Sequence, residues 1–211
     1  MTYLYLVRHG ETDWNRAKKI QGSTDIALND TGREQARATG RLLSRRHWHG
    51  VISSPLSRAA ETARIIADEL ALPAPVLIDA LVERNYGEAE GLTGQELLER
   101  FPGDEAGRGR EPRSAVAARV IPALLTVAER NPGRSIIVVS HGGVIRSVLK
   151  ATGPAHGPHH SAHIPNGSVH SLRYVDSSLQ LVAFDDPIDE QSVTVGSDDF
   201  PEQNPMERRE G

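Results

Sequence analysis

The chain of 211 residues contains no cysteine, few aromatic side chains (4%) and no long apolar run. The absence of cysteine excludes disulfide bonds and any thiolate nucleophile. No apolar run approaches the roughly 18 to 20 residues that a membrane-spanning helix needs. The first residues enter a strand pattern directly, without the basic and apolar segments of a signal peptide. We therefore expect a cytoplasmic protein that does not associate with membranes.

Composition predicts one folded domain followed by a charged tail. The apolar fraction of 38% and the charged fraction of 25% are typical of a globular chain that buries a sizeable core. Residues 185–211 hold nine acidic side chains against two basic ones, with few apolar positions. We expect a domain over residues 1–184 and a flexible, solvated acidic tail after it. The domain has a small excess of basic residues, which favours an anionic ligand but is not the basic stripe of a nucleic-acid binder.

Strand patterns alternate with helix patterns along the predicted domain. Strands are predicted at residues 3–8, 50–53, 76–78 and 135–140, with a closing hairpin at 168–174 and 179–184. Helices are predicted at residues 31–45, 55–70, 114–130 and 144–151, with an interruption or bend at Pro122. Capping-box sequences begin at Thr31 and Thr93. The alternation predicts an α/β fold with three layers, α/β/α, around a mostly parallel sheet.

Chemically versatile side chains follow the ends of four predicted strands. Arg8 and His9 end the first strand, Arg58 follows the second, Glu83 follows the third and His141 ends the fourth. Each residue alone has an ordinary structural explanation, such as a hydrogen-bonded turn or a solvated surface. In open α/β sheets, however, ligands bind at the carboxyl ends of the strands. Four segments therefore deliver two histidines, two arginines and a glutamate to one edge, which indicates a functional site.

The sequence around these residues resembles the histidine phosphatase superfamily, whose members have the phosphoglycerate mutase-like fold. The resemblance is carried by LVRHGET (6–12), LNDTGREQA (28–36), ISSPLSRAAETA (52–63), ERNYGEAEGLT (83–93), VVSHGGVIR (138–146) and IPNGSV (164–169). It extends over roughly residues 3–184. The combination of the RHG motif with the later SHGG motif is highly specific for this superfamily.

The resemblance implies roles for individual residues. His9 corresponds to a nucleophile that becomes phosphohistidine, and Glu83 corresponds to the proton donor. The implied phosphate pocket contains Arg8, Arg58 and His141. The other residues implied to bind phosphate or substrate are Asn15, Gly22, Ser23, Arg84, Tyr86 and Gly142. We expect no cofactor, and these residues contain no ligand set for a metal.

The chemistry of phosphate esters explains why these residue types are needed. A dianion must be neutralised before a nucleophile can approach it, and two arginines supply paired donors with a permanent charge. His9 must attack as a neutral imidazole whose other nitrogen is fixed by a carbonyl, and Gly10 makes room for that close backbone approach. Glu83 must hold a proton for the leaving alkoxide, which demands a raised pKa. Water then attacks phosphohistidine, with Glu83 as the base.

Two activities remain open at such a site: hydrolysis of a phosphomonoester, and transfer of the phosphoryl group between hydroxyls of a phosphoglycerate. Arg84 and Tyr86 match the mutase motif and are suited to a phosphorylated carboxylate. The mutases, however, usually have asparagine where this chain has Gly143, and they carry a long insertion before the second histidine. Only 58 positions separate Glu83 from His141, too few for that insertion. We predict a metal-independent phosphatase, with the 2,3-bisphosphoglycerate-dependent mutase as the alternative.

Two further hypotheses are weaker. A phosphate-binding domain without turnover would need neither His9 nor Glu83, so their presence favours an enzyme. A histidine-rich loop has side chains that suit a transition metal, but its spacing among glycine and proline fixes no geometry, and we predict no metal there. That loop contains His156, His159, His160 and His163. The expected partner is a small phosphorylated metabolite, its identity open, and a homodimer remains an option.

Overall fold

The computed structural model describes residues 1–103, 108–153 and 161–188 of the chain. Its strands are β1 Thr2–Arg8, β2 Gly50–Ser53, β3 Val76–Leu77, β4 Ser135–Ser140, β5 Val169–Val175 and β6 Ser178–Ala183. They form a six-stranded sheet in the order β3-β2-β4-β1-β5-β6. Strands β1 to β4 run parallel, β5 runs antiparallel to β1, and β6 runs antiparallel to β5. The sheet is therefore mostly parallel, as predicted.

Helices cover both faces of this sheet. They are α1 Asp13–Arg16, α2 Asp30–Leu43, α3 Ser57–Glu69, α4 Gly94–Arg100, α5 Arg113–Arg130 and α6 Gly142–Thr152. Helices α2 and α3 pack together over one face, and α5 and α6 pack together over the other. This arrangement confirms the predicted three-layer α/β/α fold. None of the helices in the described parts of the chain is long and apolar enough to span a membrane.

Alternation along the central strands builds the two cores. In β1, Leu4 and Leu6 join the cluster under α5 and α6, whereas Tyr5 and Val7 join the cluster under α2 and α3. Strand β4 alternates in the same way, since its successive side chains point to opposite faces. Both faces of these strands are buried, so they consist of nearly continuous aliphatic and aromatic residues.

Helix α2 begins earlier than the sequence predicts. The Asn29 side chain accepts a 2.8 Å hydrogen bond from the Gly32 backbone N–H and caps the helix, so the capping box predicted at Thr31 is wrong. Asparagine is a strong N-cap because its short side chain reaches the first free amides. The second predicted box is confirmed: the Thr93 hydroxyl and the Glu96 carboxylate bond each other's backbone N–H groups.

Two other segments differ from the sequence-based expectation. Helix α5 continues through Pro122 without interruption. At the end of the domain, the Asp186 backbone N–H donates to the Val169 carbonyl at 2.7 Å, and Ile188 is only 1% exposed in the core under α2 and α3. The folded part therefore reaches residue 188, four residues beyond the expected boundary. The remainder of the predicted acidic tail, residues 189–211, lies outside the described residues.

Candidate active site

Strand register brings the predicted site residues to one edge of the sheet. Arg8 at the end of β1 is paired with Ser140 at the end of β4, and Ser53 of β2 is paired with Val139. The residues that follow these three strands consequently emerge side by side. They include His9, Ser54 and His141.

His9 is held in one tautomer by the backbone carbonyl of the next residue. Its Nδ1 lies 2.7 Å from the Gly10 carbonyl oxygen. Because a carbonyl only accepts hydrogen bonds, Nδ1 carries the proton and Nε2 keeps its lone pair. The glycine is required by packing, since a Cβ on Gly10 would lie 2.2 Å from the Gly32 carbonyl oxygen. The close backbone approach expected at Gly10 is therefore an approach to the start of α2.

Both histidines of the site are buried beside cations. His9 is 3% exposed and His141 is fully buried, with their ring centroids 5.2 Å apart. Burial, followed by the charges of Arg58 and Arg8, holds the pKa of His9 well below its usual range. Burial, then Arg58 and the neighbouring His9, lowers the pKa of His141 in the same direction. Both imidazoles are therefore neutral at physiological pH, as a nucleophilic histidine requires.

Arg58 is fully buried in the first turn of α3. Its Nη1 and Nη2 donate to the carbonyls of Thr24 and Gly22, at 2.8 and 2.7 Å. Its buried Nε has no hydrogen-bond partner among the described residues. Burial lowers the pKa of Arg58, but a guanidinium keeps its charge in proteins. An unmet donor on a buried cation is suited to an anionic ligand.

Further donors surround the same space. The Nη1 of Arg8 donates to the Ile164 carbonyl at 2.5 Å, and its Nε lies 3.5 Å from the position a Cβ on Gly142 would take. Arg8 is thus next to the N-terminus of α6, and the positive end of a helix dipole favours phosphate. The Nε2 of His141 is 2.8 Å from the Ser54 hydroxyl, and its Nδ1 has no hydrogen-bond partner within the part of the chain that the structure describes.

Glu83 is fastened to the start of α6 by backbone hydrogen bonds. Its carboxylate accepts from the backbone N–H groups of Gly143 at 3.0 Å and Val144 at 3.1 Å, and from that of Arg84 at 2.7 Å. Three donors fix both oxygens at the helix end that also borders Arg8. The position suits a group that exchanges a proton with a phosphate ester bound there.

Asn15 is oriented by neighbours that the sequence did not reveal. Its amide oxygen accepts from the Thr12 backbone N–H and from Asn166 Nδ2, at 3.2 and 3.3 Å. The amide nitrogen of Asn15 is consequently the group left to donate, and its contact with a phosphate stays a prediction. Asn166 also donates to the His9 carbonyl at 2.8 Å. The Asn-Gly turn before β5 was the available signal for Asn166, but its partner lies 157 residues away.

The loop at residues 22–24 is organised by Glu90, which the sequence reading also missed. The Glu90 carboxylate accepts from the backbone N–H groups of Ser23, Thr24 and Tyr86, each at 2.9–3.0 Å, and from the hydroxyls of Ser23 and Thr24. The donors of Ser23 are therefore directed to Glu90, while the Gly22 carbonyl holds Arg58. Contact of these two residues with substrate stays a prediction.

Arg84 and Tyr86 lie beside Glu83 but are buried, at 2% and 1% exposure. The Nε of Arg84 donates to the Glu111 carbonyl at 2.7 Å, and its guanidinium lies 5.3 Å from the centre of the Tyr86 ring. Arg84 is thus engaged by the protein itself. Its predicted contact with a substrate carboxylate remains a prediction.

Metal ligation finds no support in the described parts of the chain, which contain no cluster of three or more histidine, aspartate or glutamate side chains placed to hold an ion. Three histidines of the predicted loop, His156, His159 and His160, lie outside the described residues.

Residues 4–187 match the histidine phosphatase superfamily, branch 1. The chain belongs to this superfamily. It is 36% identical to the uncharacterized phosphatase PhoE of Bacillus subtilis over 181 residues, 86% of this chain and 93% of that protein. It is also 34% identical to a 2,3-bisphosphoglycerate-dependent phosphoglycerate mutase of Gloeobacter violaceus, over 71% of this chain and 74% of that one.

A solved structure of mycobacterial glucosyl-3-phosphoglycerate phosphatase in complex with VO3 has a similar fold. It superposes with a TM-score of 0.75 at 29% identity, covering 85% of this chain and 96% of that one. Phosphatases are thus present among both the sequence relatives and the structural relatives, which supports phosphatase activity for this chain.

Proposed function

We propose that the protein hydrolyses the phosphomonoester of a small metabolite through a phosphohistidine intermediate on His9, without a metal ion. The observation that carries the proposal is the state of His9. Its Nδ1–H donates a hydrogen bond to the Gly10 carbonyl, and burial beside Arg58 and Arg8 keeps the ring neutral. The Nε2 lone pair is therefore available in a pocket whose other groups attract an anion.

The first step forms the phosphoenzyme. Arg8 and Arg58 neutralise the dianion and the Gly142 backbone N–H donates to it, so that Nε2 of His9 can attack phosphorus in line with the leaving oxygen. The incoming negative charge favours the protonated carboxyl of Glu83, which then donates its proton to the departing alkoxide. The N–P bond forms, the P–O bond to the alcohol breaks, and the alcohol leaves.

The second step returns the enzyme to its starting state. The ionised Glu83 takes a proton from water, and the oxygen of that water attacks phosphohistidine. The N–P bond breaks, inorganic phosphate leaves, and His9 is again neutral. His141 lies 5.2 Å from His9, between centroids, and acts as a neutral donor to the phosphate rather than as a second nucleophile.

The mutase remains the second candidate because a mutase is among the relatives at 34% identity. A mutase must hold the substrate carboxylate and keep water out while the phosphoryl group waits on the histidine. Arg84, the cation suited to that carboxylate, is buried and donates to the Glu111 carbonyl. The short connection between Glu83 and His141 also offers little chain to enclose the pocket. These features favour hydrolysis.

A substrate panel in EDTA tests the proposal. The purified protein should release phosphate from an aryl phosphate and from at least one metabolite ester, and should do so faster than it converts 3-phosphoglycerate to 2-phosphoglycerate with the bisphosphate present. Mutase turnover above hydrolysis of every ester would contradict the phosphatase assignment. Activity lost in EDTA and restored by a divalent ion would contradict metal independence. Phosphate binding without turnover of any ester would indicate the non-catalytic domain.

A further inference from the structure

Gly143 occupies a position where the protein has no space for a side chain. A Cβ there would lie 2.6 Å from Oε1 of Glu83, 3.2 Å from its Cδ and 3.1 Å from the Tyr86 hydroxyl. The first distance is shorter than carbon and oxygen atoms tolerate, so one of the groups would have to move. Gly143 is the second residue of α6, and its helical backbone is accessible to any amino acid. The requirement for glycine therefore comes from Glu83 and not from the backbone.

The neighbours of Gly143 differ in their freedom to move. Tyr86 is 1% exposed and packs against Ile20, Ala89 and Leu97, so its ring is fixed. Glu83 presents only the end of a flexible side chain, held by hydrogen bonds to backbone amides. A side chain at position 143 would consequently displace the carboxylate and leave the fold intact.

We propose that Gly143 is a positioning residue in this chain: the absence of its side chain lets the Glu83 carboxylate bond the first amides of α6 and reach the leaving oxygen, a placement that the asparagine usual in the mutases would not allow. This inference rests on the proposed function of Glu83 and adds the element that sets its place. Position 143 does not touch the phosphate in this account. Its substitution should therefore affect proton transfer and spare phosphate binding.

The test compares leaving groups in Gly143→Ala. The dinitrophenolate ion leaves 2,4-dinitrophenyl phosphate without a proton, whereas the phenolate of phenyl phosphate needs one. The quantity to measure is kcat/KM, because it reports only the steps up to release of the alcohol. Hydrolysis of the phosphoenzyme comes later and does not affect it. We expect kcat/KM to fall on the order of 100-fold for phenyl phosphate and less than about threefold for the dinitrophenyl ester.

Two comparisons separate positioning from a general disturbance of α6. Ser147→Ala removes the 2.8 Å hydrogen bond from the Ser147 hydroxyl to the Gly143 carbonyl but adds nothing near Glu83. Ser147→Ala should keep the wild-type ratio of kcat/KM between the two substrates. In the Glu83→Gln variant, adding Gly143→Ala should lower kcat/KM for phenyl phosphate only slightly further, because the displaced side chain no longer donates a proton. Circular dichroism and thermal unfolding verify that each variant is folded.

Each outcome is decisive. An equal loss on both esters, or wild-type activity of Gly143→Ala on phenyl phosphate, would overturn the positioning role. If Glu83→Gln kept the wild-type ratio of kcat/KM between the two esters, Glu83 would not be the acid, and the inference would fail with it. A wild-type protein that hydrolyses neither ester would instead contradict the proposed function itself.

Discussion

At the scale of single residues, two buried histidines stay neutral at pH values where a solvated imidazole gains a proton. His9 and His141 are buried beside two arginines, and both have their pKa lowered well below the usual range. The neutral state that makes His9 a nucleophile therefore has a thermodynamic cost at low pH. Burial of the ring and the nearby positive charge act together in both cases.

That cost predicts a stability that falls as the pH decreases. Above about pH 6.5 both histidines are neutral in the folded and the unfolded chain; below it the unfolded chain binds protons that the folded protein refuses. Between pH 7.5 and 5.5, the free energy of unfolding should fall by about 1.4 kcal/mol for each such histidine. Urea unfolding of His141→Gln should therefore show a loss smaller than the wild-type loss by about that amount.

The exposed His47 provides the control for this measurement. His47→Gln should lose as much stability as the wild type between the two pH values. An identical loss in His141→Gln and in the wild type would show that the His141 ring does not remain neutral in the folded protein.

At the scale of elements, the sequence predicts which segments form strands and helices better than it predicts where they begin. A continuous apolar run identifies β4 and helical hydrophobic periodicity identifies α3, because burial determines both patterns. The start of α2 depends instead on which side chain captures the first amides, and Asn29 does so before Thr31. Asparagine and threonine are both good N-cap residues, so a single sequence does not show which of two nearby candidates caps the helix.

The loop at residues 22–24 shows what an element contributes to the site. Its carbonyls hold the Arg58 guanidinium, and the loop itself is held by Glu90. No periodicity or motif of single residues reveals this chain of contacts, since Glu90 lies 67 positions from Ser23. We therefore expect Glu90 to act on the chemistry through the loop and not by contact with phosphate.

Glu90→Gln should therefore reduce kcat/KM while leaving the protein folded. The substitution turns one acceptor into a donor that faces other donors, and hydrogen bonds to a charged group contribute about 1.5 to 3 kcal/mol each. We expect a loss on the order of tenfold or more. Hydrogen exchange at residues 22–24 should accelerate. Glu99→Gln, which removes the same charge from an exposed side chain of α4, is the control; unchanged activity and exchange in Glu90→Gln would contradict the role of Glu90.

At the scale of the whole molecule, a parallel sheet explains why the main site residues are predictable. Strands β1, β2 and β4 end at one edge, so polar residues after each of them meet in space. The meeting of His9, Arg58 and His141 follows from this topology alone. Contacts between loops, such as Asn166 with His9, depend on how distant segments pack, and the alternation of strands and helices carries no information on them.

The central claim is that His9 carries the phosphoryl group, and mass spectrometry of the rapidly quenched enzyme tests it most directly. The protein is mixed with phenyl phosphate, quenched in alkali to preserve the acid-labile N–P bond, and digested. The account predicts a phosphorylated peptide containing His9, formed before phosphate appears in solution and absent from His9→Ala. Steady release of phosphate without any such peptide, or a phosphoryl group on another residue, would contradict it.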